Sequence, residues 1–132
     1  MSFTVEMQVR DYECDLQGIV NNSVYFNYLE HARHQFLKTR NLDFAQLAAQ
    51  KINLVLTRCE IDYKSSLRPS DVFTVSVEPE RISRLKIGFR QRIHCKADNQ
   101  LMIDAFATVT SVNGRGRPFV PDFIEDWFSV AG

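Results

Sequence analysis

Cysteine is scarce in this 132-residue chain. Three are present. Cys14, Cys59 and Cys95 are widely spaced, odd in number, and form no C-x-x-C pair. That pattern argues against a disulfide framework and against a zinc site. Net charge is missing too. Sixteen Lys and Arg balance sixteen Asp and Glu, so the general basicity of a nucleic-acid binder is absent and any phosphate-binding surface must be local. No apolar run approaches the length that spans a bilayer. The N-terminus has no basic stretch followed by an apolar one, so no signal peptide is expected and a reducing cytoplasm is the default compartment. Repeats, low-complexity tracts and linkers are also lacking. The expectation is one domain over residues 1–132, long enough to bury a core without staples.

What is present is a change of period. "SFTVEMQVR" alternates, with Phe3, Val5, Met7 and Val9 on one side, and predicts a strand. Residues 11–21 have loop character around Gly18. In "NSVYFNYLEHARHQFLKTRN", Val24, Tyr25, Tyr28, Leu29, Ala32, Phe36 and Leu37 recur at helical spacing. Asn21 or Asn22 can cap the start, and Lys38 and Arg40 suit the negative end of the helix dipole. A helix over 23–40 follows. "DFAQLAAQK" predicts a short second helix with Asp43 as its cap. Beyond Ile52 the period falls to two. Four strands are expected, in "NLVLTRCEIDYKS", "DVFTVSVEPERI", "RLKIGFRQRIHCKA" and "QLMIDAFATVTSVNGRGRP", with "ADNQ" as a hairpin turn between the last two. Read as a meander, they make an antiparallel sheet. One amphipathic helix needs an apolar surface to cover. The expected class is therefore α+β, a curved antiparallel sheet wrapped around one long central helix.

The stretch "VRDYECDLQGIVNNSVYFNYLEHARHQFL" resembles the hot-dog acyl-CoA thioesterases of the 4-hydroxybenzoyl-CoA thioesterase type. The residues that carry the resemblance are Asp15, Gly18, Val20, Tyr25, Tyr28, Glu30, Ala32 and Arg33. "EIDYKSSLRPSDVFTV" and "GRGRPFVPDFI" are similar to later parts of the same family. Many members carry histidine or tyrosine seven residues after the aspartate. Asn22 stands there in this chain, and the "VNN" variant looks closer to relatives that include acyl-carrier-protein thioesterases.

The resemblance implies hydrolysis of an acyl-CoA thioester, or of an acyl-carrier-protein thioester, without a cofactor. It also implies a homodimer or homotetramer with a site shared between subunits. Asp15 would be general base or nucleophile. The Asn22 backbone N–H, at the positive end of the helix, would polarise the carbonyl. Gly18 would permit the tight loop and the close approach of the thioester. Asn21 and Tyr25 are candidate substrate contacts, with Tyr28 and Phe26 as further candidates for the acyl pocket. Arg84 and Lys86, in a basic stripe with Arg90 and Arg92, are candidates for the phosphates of coenzyme A.

Plainer readings stand beside these. Asp15 is equally a turn residue. Cys14 has no histidine partner and reads as a small apolar residue. Glu30 is expected to pair with Arg33 or His34 one turn away. His31, His34 and His94 read as structural or surface residues. Glu78, Glu80 and Asp104 are expected to neutralise the basic stripe across the sheet. A non-catalytic hot-dog module that holds an acyl thioester is the reading from another functional class.

Overall fold

The computed structural model describes residues 3–40, 42 and 44–128. Strand β1 (Phe3–Gln8) leads through a 3-10 turn, Asp11–Glu13, to the long helix α1 (Asn22–Thr39) and the short α2 (Phe44–Ala49). Then come β2 (Asn53–Tyr63), β3 (Val72–Arg81), β4 (Ile87–Cys95), β5 (Leu101–Val112) and the two-residue β6 (Pro118–Phe119). A 3-10 segment, Asp122–Phe128, follows. The helix begins and ends one residue earlier than the periodicity predicts. Asp43, the expected cap of α2, lies outside the described residues.

All pairings are antiparallel, in the order β1-β3-β4-β5-β2, with β6 added against β5. This corrects the meander in one respect. Only β3, β4 and β5 follow one another in space; β2 crosses to the far side of β5, and β3 pairs with β1. The link over 64–71 contains Arg68-Pro69 and is too long for a two-residue hairpin turn. It lets the chain cross from one edge of the sheet toward the other. The turn at "ADNQ" is where expected, with Asn99 at φ 57° and Cys95 N–H donating to Gln100 O.

Alternation decides which face is apolar. Phe73, Val75 and Val77 on β3, Ile87, Phe89 and Ile93 on β4, and Ile103, Ala105 and Ala107 on β5 are all buried. Tyr25, Tyr28, Leu29, Ala32, Phe36 and Leu37 of α1 belong to the same core cluster. The opposite face carries charge: Asp104 lies 3.5 Å from both Arg90 and Arg92. One glycine is required by contact there. A Cβ on Gly88 would sit 2.1 Å from Phe106 Cζ, and the Arg90 guanidinium lies over that ring, 4.7 Å from its centre. The sheet therefore curls its apolar face around α1 and leaves its polar face to solvent.

Candidate active site

The loop before α1 is a small hairpin of its own. Cys14 and Val20 form an isolated antiparallel bridge, and Asn21 N–H donates to Glu13 O at 3.0 Å. Inside that bridge, Asp15 N–H donates to Ile19 O and Gly18 N–H donates to Asp15 O. Asp15 Oδ1 accepts from Gln17 N–H at 2.8 Å and from Ile19 N–H at 3.4 Å. The turn role expected of an aspartate is thus real, and the side chain is still exposed. Gly18 takes φ +73°, the left-handed region that favours glycine, with open space where a Cβ would be.

A buried carboxylate ties this hairpin down. Glu13 is 8% exposed. Its Oε1 accepts from the Tyr28 hydroxyl at 2.8 Å and from Arg10 N–H at 2.8 Å. Burial, and then the Glu13 carboxylate, push the Tyr28 phenol far above its ordinary range. Tyr28 therefore stays a neutral donor, and a helix residue holds the loop two positions before Asp15. Sequence reasoning weighs Glu13 only as an acid competing with Asp15 for the catalytic role. Asp11, Asp15 and Gln17 lie in the same approach to the helix, so nothing in the sequence singles Glu13 out as the buried one.

The start of α1 is uncapped. The Asn21 side chain makes no cap hydrogen bond, and Asn22 and Ser23 are exposed. Val24 N–H donates to Asn21 O; the N–H groups of Asn22 and Ser23 have no acceptor among the described residues. The Tyr63 hydroxyl, from the end of β2, donates to Asn22 O at 3.3 Å. So the chain brings Asp15, Gly18, Asn21 and Asn22 together within one loop and one helix turn. Tyr25 is close by but buried, and its hydroxyl oxygen accepts from Leu67 N–H at 3.0 Å. Tyr25 and Tyr28 are core, while Phe26 is exposed.

Arg84 and Lys86 are not brought to that place. They occupy the turn between β3 and β4, whereas the Asp15 loop adjoins the start of β3, where Val9 N–H donates to Asp71 O. The ten-residue β3 separates them by roughly 30 Å. Arg90 and Arg92 are engaged by Asp104, as the plainer reading expects. Burial, then the nearby acids Asp11, Glu13 and Asp15, raise the Cys14 thiol, which is the opposite of nucleophile activation. Glu30 does not ion-pair with Arg33, whose guanidinium donates instead to Gln91 Oε1 at 2.9 Å.

A cavity of about 150 Å³ opens between the second half of α1 and β2, β4 and β5. Leu37, Leu54, Leu56, Phe89 and Val109 form its apolar walls; Glu30, Arg33 and His34 are its polar members. Tyr25, Phe26 and Tyr28, the residues expected to line the acyl pocket, do not line this cavity, which lies further along the helix.

A curved antiparallel sheet closed on one long helix, with an acid-bearing hairpin feeding the open helix start, is the hot-dog class of protein. The chain belongs to the thioesterase-like superfamily, whose family model matches residues 9–128. It is 30% identical over 125 residues to a chloroplastic acyl-acyl carrier protein thioesterase of Arabidopsis thaliana, covering 94% of this chain and 66% of that protein. It is 26% identical over 108 residues to a long-chain acyl-CoA thioesterase of Escherichia coli, covering 82% and 81% of the two chains. Its fold matches that of a 1,4-dihydroxy-2-naphthoyl-CoA thioesterase from Synechocystis with a TM-score of 0.89 at 18% identity, over 96% and 95% of the two chains. No helix among the described residues is long and apolar enough to cross a membrane.

Proposed function

We propose that the chain hydrolyses an acyl thioester, with coenzyme A as the carrier and Asp15 as the catalytic carboxylate. The observation that carries this reading is the acid-bearing hairpin delivered to an uncapped helix start. Free N–H groups at a helix N-terminus stabilise negative charge as it develops on a carbonyl oxygen. Asn22 N–H takes that part, and Asn21 flanks the carbonyl. Asp15 removes a proton from water as the water oxygen bonds to the carbonyl carbon. The carbon–sulfur bond then breaks, and the departing thiolate takes up a proton. Direct attack by the carboxylate, through a mixed anhydride, uses the same placement. Gly18 keeps the loop tight enough for both.

An acyl-carrier-protein donor is the second reading, and the Arabidopsis relative supports it. Assembly follows from the sheet edge. β2 is eleven residues long, has no strand on its outer side among the described residues, and exposes Val55, Leu56 and Tyr63. Such an edge invites pairing, and we assign it to a second copy in antiparallel register. Arg84 and Lys86 would then come to the same end of the joined sheet as the partner's helix start, which is what a role toward the coenzyme A phosphates requires.

The test is thiol release from aryl-, short-, medium- and long-chain acyl-CoAs and from an acyl carrier protein thioester, with Asp15→Asn alongside. Wild type should cleave part of the panel, and Asp15→Asn should lose about 10²- to 10⁴-fold while remaining folded. Equal turnover by both would make Asp15 a turn residue only. Binding without turnover would favour the non-catalytic module.

A further inference from the structure

The row of side chains that β4 turns toward α1 reads Ile87, Phe89, Gln91, Ile93, Cys95, and Gln91 breaks it. Gln91 is fully buried. Its amide nitrogen donates to Leu29 O at 3.0 Å, which fixes the amide so that Oε1 accepts from Arg33 at 2.9 Å. A buried glutamine in an apolar row costs free energy unless it is satisfied; here a helix carbonyl and a guanidinium satisfy it. Arg33 is the less balanced member. A guanidinium has five N–H donors, and one hydrogen bond from Arg33 is identified among the described residues. No carboxylate is ion-paired with it among the described residues, and burial works against its charge. Glu30 and Cys59 are the titratable groups that act on it electrostatically. The donor fork lines a cavity walled by Leu37, Leu54, Leu56, Phe89 and Val109, in which Glu30 and His34 are the other polar members.

The position of this cavity relative to the helix start matters. Along α1, Arg33 is eleven residues from Asn22, about 16 Å away. Strand β2 connects the two places: its Tyr63 end touches Asn22, and its Leu54 and Leu56 end lines the cavity. Antiparallel pairing of two copies of β2 sets the Leu54 end of one beside the Tyr63 end of the other. The cavity of one protomer then adjoins the helix start of its partner. A chain whose thioester lies at one helix start can extend toward a pocket supplied by the other protomer.

We propose that Arg33, positioned by Gln91, recognises a hydrogen-bond-accepting oxygen on the acyl group. The preferred substrates are then thioesters whose apolar acyl chain carries a keto, hydroxyl or carboxylate oxygen, and plain alkanoyl thioesters are the poorer ones. This deepens the hydrolase reading above and rests on it.

The test compares a medium-chain acyl-CoA with analogues of equal length bearing a β-oxo group, a mid-chain hydroxyl or a terminal carboxylate. Wild type, Arg33→Met and Arg33→Lys are assayed for kcat/KM. The matching S-alkyl CoA thioethers, which cannot be hydrolysed, are titrated by calorimetry, and assembly is followed by sedimentation. Wild type should favour one oxygenated analogue by about tenfold or more, the worth of a hydrogen bond to a charged group. Arg33→Met should erase that preference, bringing the kcat/KM ratio of oxygenated to plain chain to about one. Arg33→Lys, which keeps charge without the planar fork, should retain part of it, and it supplies the answer if Arg33→Met fails to fold. Oxygen preference in thioether binding with no turnover would uphold this site and sink the hydrolase reading. Turnover with no oxygen preference would do the reverse. A wild type that neither binds nor cleaves would sink both. Dissociation of the assembly by Arg33→Met, with plain-chain turnover lost too, would make the guanidinium an interface contact and overturn the proposal.

Discussion

The two ends of α1 are finished in opposite ways. At the C-terminal end everything is closed. Phe36 meets Phe3 and Phe89 edge-on at 6.0 Å and Trp127 at 5.6 Å, and the Arg40 guanidinium sits 5.3 Å from its ring centre. Several of the last carbonyls are taken: Thr39 Oγ1 donates to Phe36 O, Arg40 N–H donates to Leu37 O and Lys38 O, and Leu42 N–H donates to Leu37 O. At the N-terminal end the rings of Tyr25, Tyr28, Tyr63 and Phe73 also pack, but the N–H groups of Asn22 and Ser23 are left open and the nearest loop is tied by the Tyr28–Glu13 hydrogen bond. Unsatisfied helix ends cost stability, and sealing one end while exposing the other separates the two tasks. The closed end anchors the helix; the open end keeps its positive pole available to a substrate oxygen.

That division predicts which property each substitution moves. At the open end, Asp15→Asn should produce the largest loss of turnover with little change in the urea midpoint, because the side chain is exposed and Asn can keep the Oδ1 turn contacts. At the closed end the reverse is expected. Phe36→Ala removes the ring on which Phe3, Phe89 and Trp127 converge, and should cost about 3–5 kcal/mol in urea unfolding. Turnover per folded molecule should stay within a few-fold of wild type. A Phe36→Ala protein that is stable but catalytically dead would break the separation.

The tie between loop and helix is the next test in size. Tyr28→Phe removes the hydroxyl that reaches Glu13 and leaves that carboxylate buried with Arg10 as its remaining partner. A hydrogen bond to a charged group is worth about 1.5–3 kcal/mol. Because the released segment carries Asp15, the loss should appear in kcat as well as in stability, with KM little changed. Glu13→Gln keeps an acceptor for the Tyr28 hydroxyl and should preserve most of kcat. A fall in stability with no fall in kcat would show that the hairpin keeps its shape without Tyr28.

The sequence was most legible where one face of an element is buried. The helical stripe from Tyr25 to Leu37 and the alternation in β3, β4 and β5 mark the core faces within a residue or so, because burial imposes a period. Spatial order was less legible. β2 and β3 are neighbours in sequence and not in space, since alternation says which face is buried and not which strand lies alongside. The loop around Gly18 and the helix start, within one residue, were legible, but the asparagine cap expected at Asn21 or Asn22 does not form, because the Asn21 side chain makes no cap hydrogen bond. Arg33 and Gln91 were not read together. They are 58 residues apart, and their meeting depends on how the helix lies across the sheet. The faint trace was the one polar residue in the apolar row of β4.

The smallest expected effect concerns the cavity wall, between the two ends. Burial lowers the His34 pKa from its ordinary value of 6.5. The field of Glu30 opposes that shift, and those of Arg33, His31 and Lys38 reinforce it. A histidine whose folded pKa lies below its unfolded one binds fewer protons in the folded state across the interval between them. Stability then rises with pH over that interval. Going downward, the contribution is present above the unfolded value, is lost as pH falls from about 6.5 through the lower folded pKa, and stops changing below it. The melting temperature should therefore fall modestly between about pH 7.5 and pH 5, and His34→Gln should flatten that part of the profile. Carboxylates contribute their own slope at lower pH, so the informative quantity is the difference between the two profiles above about pH 5. If a chain with an oxygenated acyl group fills the cavity and dries it further, saturating thioether should steepen the wild-type slope and leave His34→Gln unchanged. An identical slope in both proteins would mean that His34 titrates as it does in the unfolded chain, and that this wall of the cavity is open to water.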